Sequence, residues 1–224
     1  MANVAVAFGF KHIGYAGGAA PTYVMKRRKI ALGNGHAIFH GDPVISLGTG
    51  YIDQAANNST QFAGIFQGCE YLSVSQGRKV RSNYWPGSDA SADVDAFIID
   101  SGDALFLGAS NGAPIVFGNV NNNIGYFIAT GGSAAPVIGS GQGSTSAQLS
   151  GALFDVAGTN SGGSGAINTT STLPFRIVGL YSDFVAQGAP TAGSTSFNGS
   201  DNTTNFNWAV VKLNNVDFNS LTGI

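Results

Sequence analysis

Glycine recurs along the whole chain and limits which secondary structures can form. The sequence contains 33 glycines but only 7 prolines among its 224 residues. Each glycine inside a helix costs roughly 1 kcal/mol relative to alanine, whereas glycine readily adopts the positive φ of tight turns. This distribution argues against long helices and favours many short strands joined by turns.

Short apolar runs bounded by Gly, Pro, Asn or Asp occur near both ends of the chain, a pattern typical of half-buried strands. The segment that joins residues 94–100 to residues 104–107 predicts a hairpin-like turn at Ser101 and Gly102. We therefore predict an all-β fold, an antiparallel β-sandwich, jelly-roll-like domain or barrel with long Gly/Ser/Asn-rich loops. The predicted strands are residues 36–40, 44–47, 61–72, 79–85, 94–100, 104–107, 175–181 and 207–213.

The middle of the chain differs from both ends in composition. In residues 108–170, polar Gly-, Ser- and Asn-rich stretches separate apolar islands at 115–117, 126–128 and 152–156. The region is either a set of strands with long connections or a flexible linker between two domains. The islands are too few to build an independent core. We therefore predict one β-rich domain spanning 1–224, in which 1–30 is an extended N-terminal arm and 108–170 is a loop-rich, variable part.

Charged residues are scarce and unevenly distributed. They make up 10% of the chain, against roughly 25% in an ordinary soluble domain, which favours a surface covered by a partner protein. A surface of Ser, Thr, Asn and Gly is the alternative. Residues 1–81 hold eight of the ten basic residues, and residues 82–224 hold nine of the twelve acids. This asymmetry either steers one part of the molecule toward an acidic partner or is paired internally.

The densest charge is the basic cluster Lys26, Arg27, Arg28 and Lys29. Such a cluster fits a contact with an acidic protein surface, a contact with nucleic acid, or a solvated strand end. Nucleic-acid binding usually involves a broader basic surface, and the sequence has none. We therefore predict no direct nucleic-acid partner.

No pattern in the sequence predicts a catalytic, metal or cofactor site. His36 and His40 lie among glycines and a proline that prevent a helix, and on a strand they would be roughly 13 Å apart, too far to chelate one ion. The aspartates of residues 89–103 lack the glycine and final glutamate of an EF-hand loop. The single cysteine, Cys69, lies in an apolar run and is expected in the core. We predict that the protein is not an enzyme.

Targeting and membrane signals are also missing from the sequence. The first residues carry no basic segment of the kind that opens a signal peptide. No uncharged apolar run approaches the roughly 20 residues that a membrane helix needs. We therefore expect no membrane partner.

Several stretches together carry a family likeness. The string FAGIFQGCEYL at residues 62–72 is followed by NYWPGS at 83–88 and VDAFIID at 94–100. These segments resemble a group of tailed-bacteriophage virion proteins that decorate or cement the capsid. The likeness is strongest over residues 1–107 and 173–224. It also includes FGFK at 8–11, FHGDPV at 39–44, LPFRIVGL at 173–180 and VKLNN at 211–215.

The resemblance implies a specific role. Such proteins bind the outer surface of the shell, bridge neighbouring major capsid proteins and stabilise the head, as small symmetric oligomers with β-sandwich or jelly-roll cores. The expected partners are the major capsid protein and a second or third copy of this chain. The expected location is the capsid exterior of a virion assembled in the host cytoplasm.

Tyr, Trp and Arg dominate the energetics of protein interfaces, so these residue types mark the candidate contacts. The candidate capsid or subunit contacts are Lys26, Arg27, Arg28, Lys29, Tyr84 and Trp85. The alternative function is a glycan-binding or fibre-type receptor-recognition module of a virion. It is supported by the Asn-, Ser-, Thr- and Gly-rich surface and by the aromatic residues Tyr126 and Trp208.

Overall fold

The computed structural model describes residues 8–18, 24–57, 59–128, 143–144, 148–158, 166–181 and 205–217. Within these ranges the chain forms fifteen short strands and one 3-10 turn, Phe117–Asn119. The strands are β1 Lys11–Tyr15, β2 Lys26–Ile30, β3 Pro43–Ser46, β4 Ile52–Gln54, β5 Gly64–Ser73, β6 Arg78–Ser82, β7 Val94–Ile99, β8 Ala104–Ala109, β9 Asn123–Ile124, β10 Tyr126–Ile128, β11 Gly143–Ser144, β12 Leu149–Ser150, β13 Ala152–Phe154, β14 Phe175–Leu180 and β15 Trp208–Leu213.

Two larger antiparallel sheets carry the fold. One has five strands in the order β1-β8-β15-β14-β9. The other has six strands in the order β2-β7-β5-β3-β4, with β6 also paired to the long strand β5. Two-stranded pairings, β10 with β13 and β11 with β12, complete the described strands. The sheets pack together without closing into a barrel, so the prediction of an all-β, antiparallel β-sandwich is confirmed.

The central strands β5 and β7 contribute side chains to two hydrophobic clusters, because successive residues of a strand point to opposite faces. Ile65 and Ile99 belong to the cluster that lies against the five-stranded sheet. Their neighbours Phe66 and Ile98 belong to a second cluster, which contains Trp85. Burial on both faces explains why residues 61–72 alternate imperfectly between apolar and polar types.

The predicted hairpin at Ser101 and Gly102 is wrong. Strand β7 pairs with β2 and β5 in the six-stranded sheet, whereas β8 pairs with β1 and β15 in the five-stranded sheet. A tight corner, in which the Ala104 backbone N–H donates to the Ser101 carbonyl at 3.1 Å, carries the chain from one sheet to the other. A short Ser-Gly turn can join two paired strands of a hairpin, and it can also join strands of different sheets. Here Ile99 and Ala104 bury their side chains in the cluster between the sheets, which places the two strands in different sheets.

The apolar islands of the loop-rich region join the main core. Strands β10 and β13 pair with each other, and their residues Tyr126 and Phe154 lie in the same cluster as Phe175. Ile115 is also buried there. Residues 129–142, 145–147 and 159–165 lie outside the described part of the chain.

The described parts of the predicted N-terminal arm are two edge strands. Strand β1 pairs with β8 at one edge of the five-stranded sheet, and β2 pairs with β7 at one edge of the six-stranded sheet. Residues 1–7 and 19–23 lie outside the described residues. The basic cluster is therefore on a strand, and strand geometry decides which side each of its residues faces.

Candidate interaction surfaces

Strand β2 divides the basic cluster between two faces. Arg27 is opposite Phe97 and Lys29 is opposite Asp95, on the side of the six-stranded sheet that Ile99 also faces. Lys26 and Arg28 point to the other face, because side chains alternate along a strand. The four basic residues therefore do not form one continuous patch.

Three members of the cluster have polar partners within the protein. Lys26 Nζ lies 2.9 Å from Asp100 Oδ2, and Lys29 Nζ lies 2.7 Å from Asp95 Oδ1. Arg28 Nη2 donates a 2.6 Å hydrogen bond to the Ser46 hydroxyl. Basic residues of 1–81 thus pair with acids of 82–224 inside one molecule, so the charge asymmetry is at least partly paired internally. Exposed pairs contribute only about 0–1 kcal/mol each, so their main effect is to neutralise charge.

Arg27 is the exception, and it shares an aromatic ring with Arg81. The two guanidinium carbons lie 5.9 Å and 5.3 Å from the centroid of the Phe97 ring, within cation–π distance. Both arginines are exposed, and Phe97 is half-buried. Neither arginine forms an ion pair with an acid in the described part of the chain.

The strands on either side extend this surface. On the same face, Lys79 of β6 pairs with Glu70 of β5 at 2.9 Å, and Leu72 of β5 is 48% exposed. We call this solvent-accessible surface the outer face; it lies on the same side of β7 as Ile99 and consists of Arg27, Lys29, Glu70, Leu72, Lys79, Arg81, Asp95 and Phe97. Its lysines are paired with acids, so Arg27 and Arg81 are the cations left to meet a partner.

The predicted contact Trp85 is a core residue. Its side chain is 0% exposed and packs edge-on against Tyr71 with ring centroids 5.2 Å apart. Its backbone exchanges two hydrogen bonds with Ile38, which hold it in place. Trp85 is therefore not available to a partner. The adjacent Tyr84 is half-buried and stacks on Phe39 at 5.6 Å, so it offers only part of its ring to the surface.

A pocket of about 290 Å³ opens beside the five-stranded sheet. Its walls are Phe8, Lys11, His40, Leu107, Leu149 and Trp208. Strands β1, β8 and β15 supply Lys11, Leu107 and Trp208, and a bridge between His40 and Leu149 supplies the opposite wall. Phe8 packs edge-on against Trp208 with centroids 5.5 Å apart.

Histidine and lysine give the pocket its polar groups. His40 Nδ1 lies 3.2 Å from the Gln67 carbonyl oxygen, which can only accept, so Nδ1 carries the proton and Nε2 presents a lone pair. Burial lowers the pKa of His40, and the positive charge of Lys11 lowers it further. The imidazole is therefore neutral at pH 7. Lys11 is exposed and has no acidic partner among the described residues.

Of the two aromatic residues that favoured glycan binding, only Trp208 lines this pocket. Tyr126 is fully buried, and its hydroxyl donates a 2.9 Å hydrogen bond to the Ala56 carbonyl. Sequence reasoning missed Lys11, Phe97 and Arg81. Alternation along strands indicates which side of its own strand each of these residues faces. It shows that residues of different strands share a face only when the strand pairing is known.

The residues considered for chemistry are dispersed. His36 Nδ1 lies 2.9 Å from Asp53 Oδ2, and His40 belongs to the pocket described above. In the described ranges, no three or more His, Cys, Asp or Glu side chains are grouped so as to hold a metal ion. Nor do these ranges contain a helix with the length and apolar character needed to cross a bilayer.

We expect the Cys69 thiol of the folded protein to resist alkylation. The prediction that Cys69 is a core residue is confirmed, since its side chain is fully buried, and burial raises the pKa of the thiol to about 12. Because the thiolate is the reactive form, a thiol reagent at pH 8 should label the native protein far more slowly than the protein in 8 M urea. Equal labelling rates under the two conditions would refute the buried assignment.

Comparisons of the chain with protein-family models, with curated proteins and with solved structures find no match.

Proposed function

We propose that this protein is a virion structural protein that binds the outer surface of a phage capsid and cements neighbouring major capsid proteins. The observation that carries the proposal is the outer face, where Arg27 and Arg81 flank the Phe97 ring without an acidic partner among the described residues. Arginine and aromatic side chains are the types that dominate binding energy at protein interfaces. The resemblance of residues 62–72 and 94–100 to capsid-decorating proteins supports the same role.

The chemistry of the outer face specifies the partner surface. Arg27 and Arg81 favour carboxylates on the major capsid protein, and Leu72 and Phe97 favour apolar contacts beside them. Lys29 and Lys79 are already neutralised by Asp95 and Glu70, so they add little to such a contact. Weak contacts of this kind become strong when a symmetric oligomer, a dimer or trimer of this chain, engages several capsid subunits at once.

We expect the double substitution Arg27→Ala, Arg81→Ala to weaken capsid binding. Removing two interface arginines costs about 2 kcal/mol or more, which corresponds to roughly 30-fold in affinity. The measurement is co-sedimentation with empty, undecorated capsids of the same virus. Arg176→Ala is the matched control, because Arg176 is an exposed arginine on β14 of the other sheet, and it should bind like wild type. Wild-type affinity of the double variant would show that the outer face does not contact the capsid.

A glycan-binding module is the second candidate function, and the pocket at Trp208 is the observation that favours it. Aromatic walls with a few polar groups are typical of small-ligand sites. The outer face and the pocket lie on different sheets, so one molecule can carry both. Binding on a glycan array together with failure to co-sediment with capsids would replace the first proposal with this one.

A further inference from the structure

We propose that the pocket binds a single acidic sugar unit, of the uronic-acid class, with its carboxylate on Lys11, a hydroxyl on His40 and its apolar ring face against Trp208. This inference rests on the second candidate function, glycan binding, and names its ligand class.

The size of the pocket sets the size of the ligand. Its volume of about 290 Å³ is just below the range for small-molecule sites, roughly 300–1,000 Å³. One pyranose ring suits such a space better than a long oligosaccharide. Further sugar units of a chain would extend into solvent.

Lys11 selects for negative charge. Lys11 lines the pocket, and its ammonium group has no ion-pair partner among the described acids. It is also close enough to His40 to influence the titration of that residue. A carboxylate placed here would form a charge-assisted hydrogen bond, which is roughly twice as strong as a neutral one.

His40 selects for a hydroxyl group. Its Nδ1–H is engaged by the Gln67 carbonyl, so the neutral ring offers Nε2 as an acceptor that only a donor such as O–H can satisfy. Within the described residues, the His40 side chain hydrogen-bonds through Nδ1 and not through Nε2. A ligand for this pocket therefore needs an anionic acceptor and a donor on one small scaffold. A sugar acid has both, whereas a fatty acid has only the first.

Trp208 provides the apolar wall. Phe8 packs on it at 5.5 Å and Tyr181 at 5.7 Å between ring centroids, which fixes the orientation of the indole. Leu107 and Leu149 line the same pocket. The C–H face of a pyranose ring is apolar and fits a surface of this kind, while the hydroxyls at its edge reach Lys11 and His40.

The test compares two matched ligands, methyl β-D-glucuronide and methyl β-D-glucoside, which differ by a carboxylate in place of a CH₂OH group. Affinities are measured by calorimetry and by saturation-transfer NMR. We expect the wild-type protein to bind the glucuronide roughly tenfold more tightly than the glucoside, the difference of one charge-assisted contact. Lys11→Gln should abolish this preference, and Arg176→Gln, which removes a surface cation elsewhere, should preserve it.

Three outcomes would overturn the inference in different ways. Equal binding of the two glycosides by the wild-type protein would disprove selection for an acidic sugar and leave glycan binding intact. Binding of neither glycoside would overturn both the inference and the second candidate function. Retention of the full preference by Lys11→Gln would show that the carboxylate is bound at another place.

Discussion

Replacing Phe175 with alanine is expected to lower the free energy of unfolding by about 3–5 kcal/mol, the range for deleting a buried phenylalanine ring. Phe175 is fully buried, and its ring lies 4.4 Å from that of Phe10 and 5.1 Å from that of Phe62, measured between centroids. The rings of Tyr126 and Phe154 lie at 6.0 Å and 5.8 Å. Removing the central ring leaves four aromatic neighbours around a cavity.

The surrounding backbone prevents that cavity from collapsing. Phe175 is paired with Leu213 of β15 on one side and with Ile124 of β9 on the other, so its strand cannot shift without breaking both pairings. The matched control is Phe117→Ala. Phe117 is 81% exposed on the 3-10 turn, so the change should stay within about 0.5 kcal/mol. Urea denaturation measures both variants, and equal midpoints would contradict the placement of the core.

A second large effect is expected from Asp42, whose side chain is completely buried. Its Oδ2 accepts 2.8 Å hydrogen bonds from the Phe39 backbone N–H and from Gln54 Nε2. Burial nevertheless dominates and raises the pKa of Asp42 from 3.8 to about 7. Between these two values the folded state holds a proton that the unfolded state has released. Stability contributed by this group is therefore present below about pH 4 and is lost as pH rises to about 7.

The variant Asp42→Asn should remove this pH dependence. Asparagine keeps an acceptor for Phe39 and Gln54 and cannot ionise, so at pH 8 the variant should be more stable than wild type by up to about 4 kcal/mol. At pH 4.5 the difference should shrink to about 1 kcal/mol. Urea midpoints at both pH values provide the measurement, and the comparison cancels the titration of His40. A constant difference between the two proteins at both pH values would contradict the raised pKa.

Asp93 provides a control of the opposite sign. The Leu32 backbone N–H and then the Tyr51 hydroxyl donate to its carboxylate and lower its pKa. Its contribution to stability is present above the ordinary carboxyl pKa and is lost as pH falls. Asp93→Asn should therefore destabilise the protein at pH 8 and have a smaller effect near pH 3.

The fold class could be predicted because local patterns report strands well. Alternating runs such as 94–100 and 207–213 became β7 and β15, and the glycine content correctly argued against long helices. The sheet to which each strand belongs could not be predicted. The Ser101–Gly102 corner shows why: a short turn between two strands is compatible with a hairpin and with a crossing between sheets, and only the packing of Ile99 and Ala104 distinguishes them.

The candidate surfaces were predicted only in part, because they combine residues that are distant in the chain. Arg27 was identified from the density of charge, but its role depends on Phe97 and Arg81, which strand pairing brings beside it. Trp85 was predicted to be a contact because of its residue type, and residue type alone does not indicate whether a side chain is buried. Asp42 follows a glycine and precedes a proline, a typical exposed turn, so nothing local indicated a buried carboxyl group.

The central proposal is that the protein cements a capsid, which requires stabilisation of the shell as well as binding to it. The most direct measurement is the disassembly temperature of empty, undecorated capsids of the same virus, with and without a saturating amount of the purified protein. We expect the temperature to rise with wild-type protein and with Arg176→Ala, and to rise much less with the Arg27→Ala, Arg81→Ala variant. An unchanged disassembly temperature at saturating wild-type protein would contradict the cementing role.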